Sequence, residues 1–345
     1  MRIAQLISQH RFQLTEAPPA APAAGEIQVR VHYCGICGSD LHNFSEGSVG
    51  DTPSVFPMVL GHEPTGTVIQ TGAGVTGWQP GDRAFLEPAI YCYHCPMCRT
   101  GRHNLCDNIR FLSAAPEPGY FRDIVSIPEH CLIPIPPGVG LAEGTLFEPL
   151  AVALHSLKFV DLTPGASAAV FGCGPIGSLT VAALKMHGIR RVFAVDPVPH
   201  RRDLARAMGA DVLIDPAQVS PSKEILAATG KRGVETVLDC VTRDGSLDHA
   251  CIAVAKGGRV VATGIPSEAR PVIHFHELRR KEAPLFNVRR SNHETALAID
   301  LLVERPAFLG PMVTHRHPLE DIERAFADLE AYRDGVAKSV VQLTA

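Results

Sequence analysis

Four of the ten cysteines in this 345-residue chain fall in one stretch, Cys92, Cys95, Cys98 and Cys106, with the spacing C-x2-C-x2-C-x7-C. Such spacing lets a single short loop turn four thiolates towards one point, and zinc favours four thiolates at tetrahedral corners. A site closed in that way leaves no position for water or substrate, so it supports structure rather than chemistry. Two surface disulfides are the alternative. The chain opens Met1-Arg2-Ile3-Ala4 without a signal-peptide pattern, which points to a reducing compartment where clustered cysteines bind metal. A second, different metal site is implied by Cys37, in Gly35-Ile36-Cys37-Gly38-Ser39-Asp40-Leu41-His42, and by the pair His62-Glu63. A thiolate, an imidazole and a carboxylate leave room for water, and open coordination of this kind polarises an alcohol or carbonyl oxygen. Taken singly, each of the three also suits a packed core.

A third constellation, Gly172-Cys173-Gly174-Pro175-Ile176-Gly177, is a G-x-G-x-x-G run between the apolar stretch ending at Phe171 and a helical pattern. Glycines permit the tight turn and the close approach of a pyrophosphate, whose charge sits on the amides and dipole of the helix start. The bland alternative is a turn made only for helix packing. Asp196 ends the next apolar stretch, about 20 residues further on, where a carboxylate can accept hydrogen bonds from the adenosine ribose hydroxyls. It would repel a 2′-phosphate, so NAD is the expected cofactor, with His200, Arg201 and Arg202 close enough to offset that repulsion in part.

These residues need two kinds of scaffold. Before about residue 155, short alternating stretches such as Glu26 to Val31 are punctuated by Gly and Pro, which reads as an antiparallel, barrel-like domain. After it, apolar strands (Ala168 to Phe171, Arg191 to Asp196, Val212 to Ile214, Thr236 to Asp239, Arg259 to Ala262) alternate with amphipathic stretches, so a parallel sheet wrapped by helices is expected. From about Phe286 the pattern changes to a helix, His293 to Val303, and a last strand, Ser339 to Leu343, assigned back to the first domain. The net charge of −4 offers nothing to a polyanion, which argues against a nucleic-acid-binding zinc ribbon, and no apolar run is long enough to span a membrane. A cytoplasmic protein with no nucleic-acid or membrane partner is expected. Cys34, Cys131, Cys173, Cys240 and Cys251 read as buried thiols, and His155 carries no assigned role.

Together, Gly35 to His42, Met58 to Glu63, the cysteine lasso, Phe147-Glu148-Pro149-Leu150 and Phe171 to Gly177 resemble the zinc-dependent medium-chain alcohol dehydrogenase family, in its polyol branch. The resemblance implies an α/β chain: a discontinuous GroES-like, β-rich catalytic domain (1–154 and 288–345) and a Rossmann domain (155–287). It implies two zinc ions, a structural one on Cys92, Cys95, Cys98 and Cys106 and a catalytic one on Cys37 and His62. Glu63 would be the third ligand or stand one water away, and Glu148 the exchangeable carboxylate. Ser39 would bond the reacting oxygen and His42 pass its proton on, although Ser39 and Asp40 also suit helix capping. Asp40 would accept the other N–H of His62. NAD would be held by Gly172, Gly174, Pro175, Ile176, Gly177, Asp196 and Arg201. The implied activity is hydride exchange between a secondary alcohol of a polyol or sugar derivative and its ketone, by a homotetramer or dimer. Sorbitol-type members carry an aromatic residue after the relay histidine and a Phe-Arg-Tyr-like segment, where this chain has Asn43 and Val288-Arg289-Arg290. With Arg110, these arginines suggest an anionic substrate such as an aldonate or sugar phosphate. A relative that binds dinucleotide without catalytic zinc is the competing reading.

Overall fold

The strand Glu26–Gly35 organises the first half of the molecule, because Ile27, Val29 and Val31 turn inward and are fully buried while Arg30 stays in solvent. That alternation is the period of two that a half-buried strand requires. It pairs antiparallel with Glu63–Thr71, Ile124–Pro128 and Lys338–Gln342. The complete sheet has seven strands in the order Leu132–Pro134, Arg83–Leu86, Glu63–Thr71, Glu26–Gly35, Lys338–Gln342, Val313–Pro318, with Ile124–Pro128 off this path. In this register Gly35 lies opposite both Glu63 and Val340. Directly after it comes the helix Gly38–Ser45, with Cys37 as its N-cap residue. Phe44 fixes that helix: its ring stacks at 5.9 Å on Phe12 and meets Phe326 at 5.0 Å. Burying such a ring contributes about 3 to 5 kcal/mol by the usual cost of truncating it.

We describe here a computed structural model, which covers residues 1–268 and 270–344; Ala269 and Ala345 lie outside the described residues. Two compact units emerge, 1–148 with 297–345, and 149–296, so the first is discontinuous. The junctions anticipated after residues 154 and 287 therefore shift to 148 and 296. At the second junction the reason is a buried carboxylate. Glu294 accepts from His155 Nδ1 at 3.0 Å, contacts Lys158 and receives the amide of Asn292, which ties the segment 292–294 to the helix Phe147–Leu157.

Six parallel strands make the sheet of the second unit, in the order Val212–Ile214, Arg191–Val195, Ser167–Phe171, Val234–Asp239, Val254–Ala262, Leu285–Asn287. The sequence order reverses between Ser167–Phe171 and Val234–Asp239, which is the switch point where doubly wound sheets open a crevice at the strand ends. The fold is thus the expected GroES-like unit plus a Rossmann unit. Gly172, with φ +82°, begins the turn out of Ser167–Phe171, and a Cβ on Gly177 would overlap the Gly172 carbonyl.

Burial alone would raise the Glu294 carboxyl, but His155, Lys158 and the Asn292 amide hold it below its ordinary value. A depressed carboxylate contributes stability above its unfolded pKa of about 4.3, and that contribution disappears as pH falls through the folded value. Glu294→Gln should therefore cost about 2 kcal/mol at pH 7 and progressively less below about pH 4. Denaturant unfolding of both proteins across this range checks the convergence.

Candidate functional site

The four lasso cysteines bring their Sγ atoms within 4.8 Å of one another. Sγ separations of 3.5 Å for Cys92 and Cys106 and 3.9 Å for Cys95 and Cys106 are measured. A disulfide would need about 2.05 Å, whereas a tetrahedron with Zn–S bonds of about 2.3 Å has edges of about 3.8 Å. The amides of Cys95 and Cys98 each point at a lasso sulfur, those of Cys92 and Cys95, at 3.4 Å. The His94 amide leads in drawing the Cys92 thiol down to about 5, while burial pushes Cys98 up to about 12. Four sulfurs this close cannot all carry charge unless a cation is shared among them, and the cage fits zinc. Its base is the antiparallel pair Ala89–Ile90 and Arg110–Phe111.

The second cluster has the other chemistry. Ligand atoms of Cys37, His62 and Glu63 also lie within 4.8 Å of one another, drawn from a helix cap and from the start of the strand Glu63–Thr71. Asp40, fully buried, anchors this arrangement: Oδ2 accepts the Cys37 amide at 3.1 Å, and Oδ1 accepts the Gly61 amide at 3.2 Å and the Ser113 hydroxyl at 3.0 Å. Oδ1 also lies 3.4 Å from His62 Nδ1, which turns the other ring nitrogen to the cluster. Burial works against a charged imidazole, but Asp40 and Cys37 outweigh it and lift His62 well above its ordinary value. The site therefore attracts positive charge, whether a proton or a metal ion.

Glu63 is equally buried, and Lys338 is its counter-ion; Lys338 Nζ also donates to the Ile36 carbonyl at 2.9 Å. Beyond that ion pair neither Glu63 oxygen accepts a directed hydrogen bond, which leaves the carboxylate a lone pair to offer a metal. A Cβ on Gly35 would overlap Glu63 Oε2, so a larger residue there would displace the paired Glu63 and Lys338 side chains. Glu148, buried in the first turn of the helix Phe147–Leu157, stands outside the set of three. Burial pushes its carboxyl up to about 7, against the pull of His62, with Glu63 and Glu87 adding to the rise. The mixed donor set fits zinc with an open position.

Ser39 and His42 are three residues apart on the helix Gly38–Ser45 and share a face. His42 Nδ1 is 3.1 Å from Glu46. In the second unit, Gly174 caps the helix Pro175–Met186 and Pro175 occupies its first turn, leaving the amides of Ile176 and Gly177 among its uncommitted N–H groups. Asp196 accepts the amides of Cys173 at 2.7 Å and Val198 at 2.8 Å. The Arg201 guanidinium lies 3.8 Å from where a Gly174 side chain would begin, whereas Arg202 turns to the Asp196 carbonyl and Asp215. Arg289 is exposed and Arg290 half-buried with a left-handed φ of 56°. Arg110 differs from expectation: its Nε and Nη2 donate to Glu117 at 2.7 and 3.0 Å, so the carboxylate its fork holds belongs to its own loop. Lys338 and Ser113 were missed by the sequence reading. The only local signal for Lys338 was a lysine inside an apolar strand.

A β-rich unit with a closed thiolate cage and an open Cys-His-Glu cluster, joined in one chain to a Rossmann unit, defines a class of zinc oxidoreductases. Residues 23–137 match the alcohol dehydrogenase GroES-like domain and residues 175–304 the zinc-binding dehydrogenase domain. Human sorbitol dehydrogenase is 32% identical over 96% of this chain and 92% of its own length. L-idonate 5-dehydrogenase of Escherichia coli K-12 superposes with a TM-score of 0.90 at 26% identity, covering 99% of this chain and 98% of that one. A protein of Sinorhizobium meliloti 1021, described as a zinc-binding dehydrogenase bound to NADP, superposes with a TM-score of 0.90 at 26% identity over 99% of both chains. The chain belongs to the zinc-binding alcohol dehydrogenase family and is an oxidoreductase. No described helix is long and apolar enough to cross a membrane.

Removing one partner of a buried ion pair strands the other charge, which costs about 3 to 5 kcal/mol. Lys338→Met should lose that much stability, and adding Glu63→Gln should restore most of it. A double-mutant cycle by urea unfolding measures the coupling.

Proposed function

We propose that this oxidoreductase uses zinc at Cys37 and His62, and NAD, to interconvert a secondary alcohol on a multi-hydroxylated carbon chain with its ketone. The observation that carries this is the convergence of Cys37, His62 and Glu63, a donor set that leaves a coordination position open, beside the closed four-cysteine cage. Glu63 is the third donor and Glu148 an exchangeable one. Zinc held there would supply the Lewis acidity that brings an alcohol's pKa towards neutrality.

The chain's own groups do the rest. Ser39 accepts the hydrogen bond of the substrate hydroxyl, and His42, its ring steadied by Glu46, carries the proton towards solvent, a task suited to an imidazole. NAD held by the second unit would supply the acceptor for the hydride of the carbinol carbon. The amides of Ile176 and Gly177, with the glycines of the turn, receive the pyrophosphate, and Arg201 beside Gly174 adds positive charge. Asp196 accepts one backbone amide on each oxygen yet keeps lone pairs for the ribose hydroxyls, which favours NAD over NADP. Sorbitol and idonate dehydrogenases among the relatives support a polyol or sugar-acid substrate. Arg289 and Arg290 would read an anionic substrate. Arg110 does not share that part, since Glu117 occupies it. The protein would act in the cytoplasm as a homodimer or homotetramer on a free small molecule.

Cys37→Ala should abolish turnover while leaving NAD binding intact, since the glycine turn belongs to the other unit. Steady-state assay with fluorescence titration of NADH checks both halves; full turnover would remove Cys37 from the chemistry. Arg290→Tyr tests the substrate class. If Arg290 binds an anion, the variant should lose about tenfold or more in kcat/KM for aldonates or sugar phosphates and keep sorbitol and xylitol oxidation. Unchanged ratios would leave a neutral polyol dehydrogenase.

A further inference from the structure

The loop that leaves the cysteine cage reaches the second cluster. After the strand Arg110–Phe111 the chain turns back on itself, closed by the two bonds from Arg110 to Glu117. Within the turn Ala114 N donates to Phe111 O at 3.0 Å, Glu117 N to Ala114 O at 2.9 Å and Ser113 N to Glu117 O at 3.2 Å. Two side chains of this loop meet the Cys37–His62 cluster. The Phe111 ring lies 5.4 Å from that of His62, and Ser113 Oγ donates to Asp40 Oδ1 at 3.0 Å.

Ser113 makes that bond from an unfavourable backbone. Its φ is +98° and its residue exposure only 7%. A side chain rarely adopts such a φ, and a non-glycine residue persists there only where its surroundings over-determine it. Glycine would take the same turn without strain. A serine in its place is explained by the hydroxyl, whose acceptor is the carboxylate 3.4 Å from His62 Nδ1 that also holds the Cys37 and Gly61 amides. Partners that orient a ligating histidine set its tautomer and ring angle and so tune the metal.

We infer that Ser113 is a positioning residue for the Cys37–His62 metal site, acting through Asp40, and that the Arg110–Glu117 pair is the clasp that keeps its loop closed. This rests on the reading that Cys37 and His62 bind zinc. The test uses the zinc-loaded full-length chain and its Ser113→Gly and Ser113→Ala variants. Zinc remaining after timed exposure to EDTA is counted by elemental analysis, and the visible spectrum of the cobalt(II)-substituted protein is recorded. Ser113→Gly deletes the hydroxyl and the strain together, so its thermal midpoint should lie above that of Ser113→Ala, which loses the hydroxyl alone. Its second-site zinc should nonetheless leave about tenfold faster, with an altered cobalt spectrum, while the cage zinc is retained as before. Ser113→Ala keeps the strain and should show the same zinc loss, which ties the effect to the hydroxyl. Wild-type release rates and cobalt spectra in both variants would overturn the inference. A wild type holding zinc only in the cysteine cage would instead overturn the site itself.

Discussion

Asp40 is the knot of the first unit. A carboxylate with no exposure must have its charge answered from within, and the answers come from the Cys37 amide, the Gly61 amide, the Ser113 hydroxyl and the His62 ring. They come from three separate stretches of chain. Satisfying one buried charge therefore fixes the helix cap, the residue before His62 and the loop beyond the cysteine cage together. Glu63 repeats the device a few ångströms away, with Lys338 of the last strand as its counter-charge. The sheet register makes both possible, because it sets Gly35 between Glu63 and the C-terminal strand, where the lack of a side chain leaves space for the Glu63–Lys338 pair.

The electrostatics give this knot a function. Asp40, Cys37, Glu63 and Glu148 put several acidic or potentially anionic groups around one imidazole in a buried setting. A protein interior does not tolerate such a concentration of negative charge without a cation. Lys338 supplies one positive charge, and the remainder suits a divalent metal. The rise of Glu148 to about 7 is a symptom of the same crowding, since burial and the neighbouring carboxylates disfavour its charged form. The cysteine cage is the same argument in sulfur. The two sites differ in that four like donors would close the coordination of one, while the mixed donors of the other would leave a position open.

What the sequence revealed follows the range of the interactions. The cage and the glycine turn were legible because their parts are neighbours in the chain: four thiolates on one loop, and a glycine run in which a side chain on Gly177 would overlap the Gly172 carbonyl. The parallel sheet was legible from its apolar strands, although Glu294 carried the second unit's boundary to residue 296 through bonds that no periodicity announces. Ser113 and Lys338 were not legible. Ser113 acts on a residue 73 positions away, and Lys338 donates to a carbonyl 302 positions away, so only the folded register brings them into play. For Arg110 the folded chain adds a local interaction instead. Its partner is only seven residues on, and a local ion pair takes up a fork that looked available for a substrate.

The central claim, that this knot of buried charges holds a metal with one position open, is tested most directly by anomalous diffraction at the zinc edge from crystals of the native protein. The account predicts two zinc peaks per chain. One should lie about 2.3 Å from each of the four cage sulfurs, and the other at bonding distance from Cys37 Sγ and His62, with an oxygen of Glu63, Glu148 or solvent completing it. A single peak in the cage, with Cys37 and His62 filled only by their own hydrogen bonds, would contradict it.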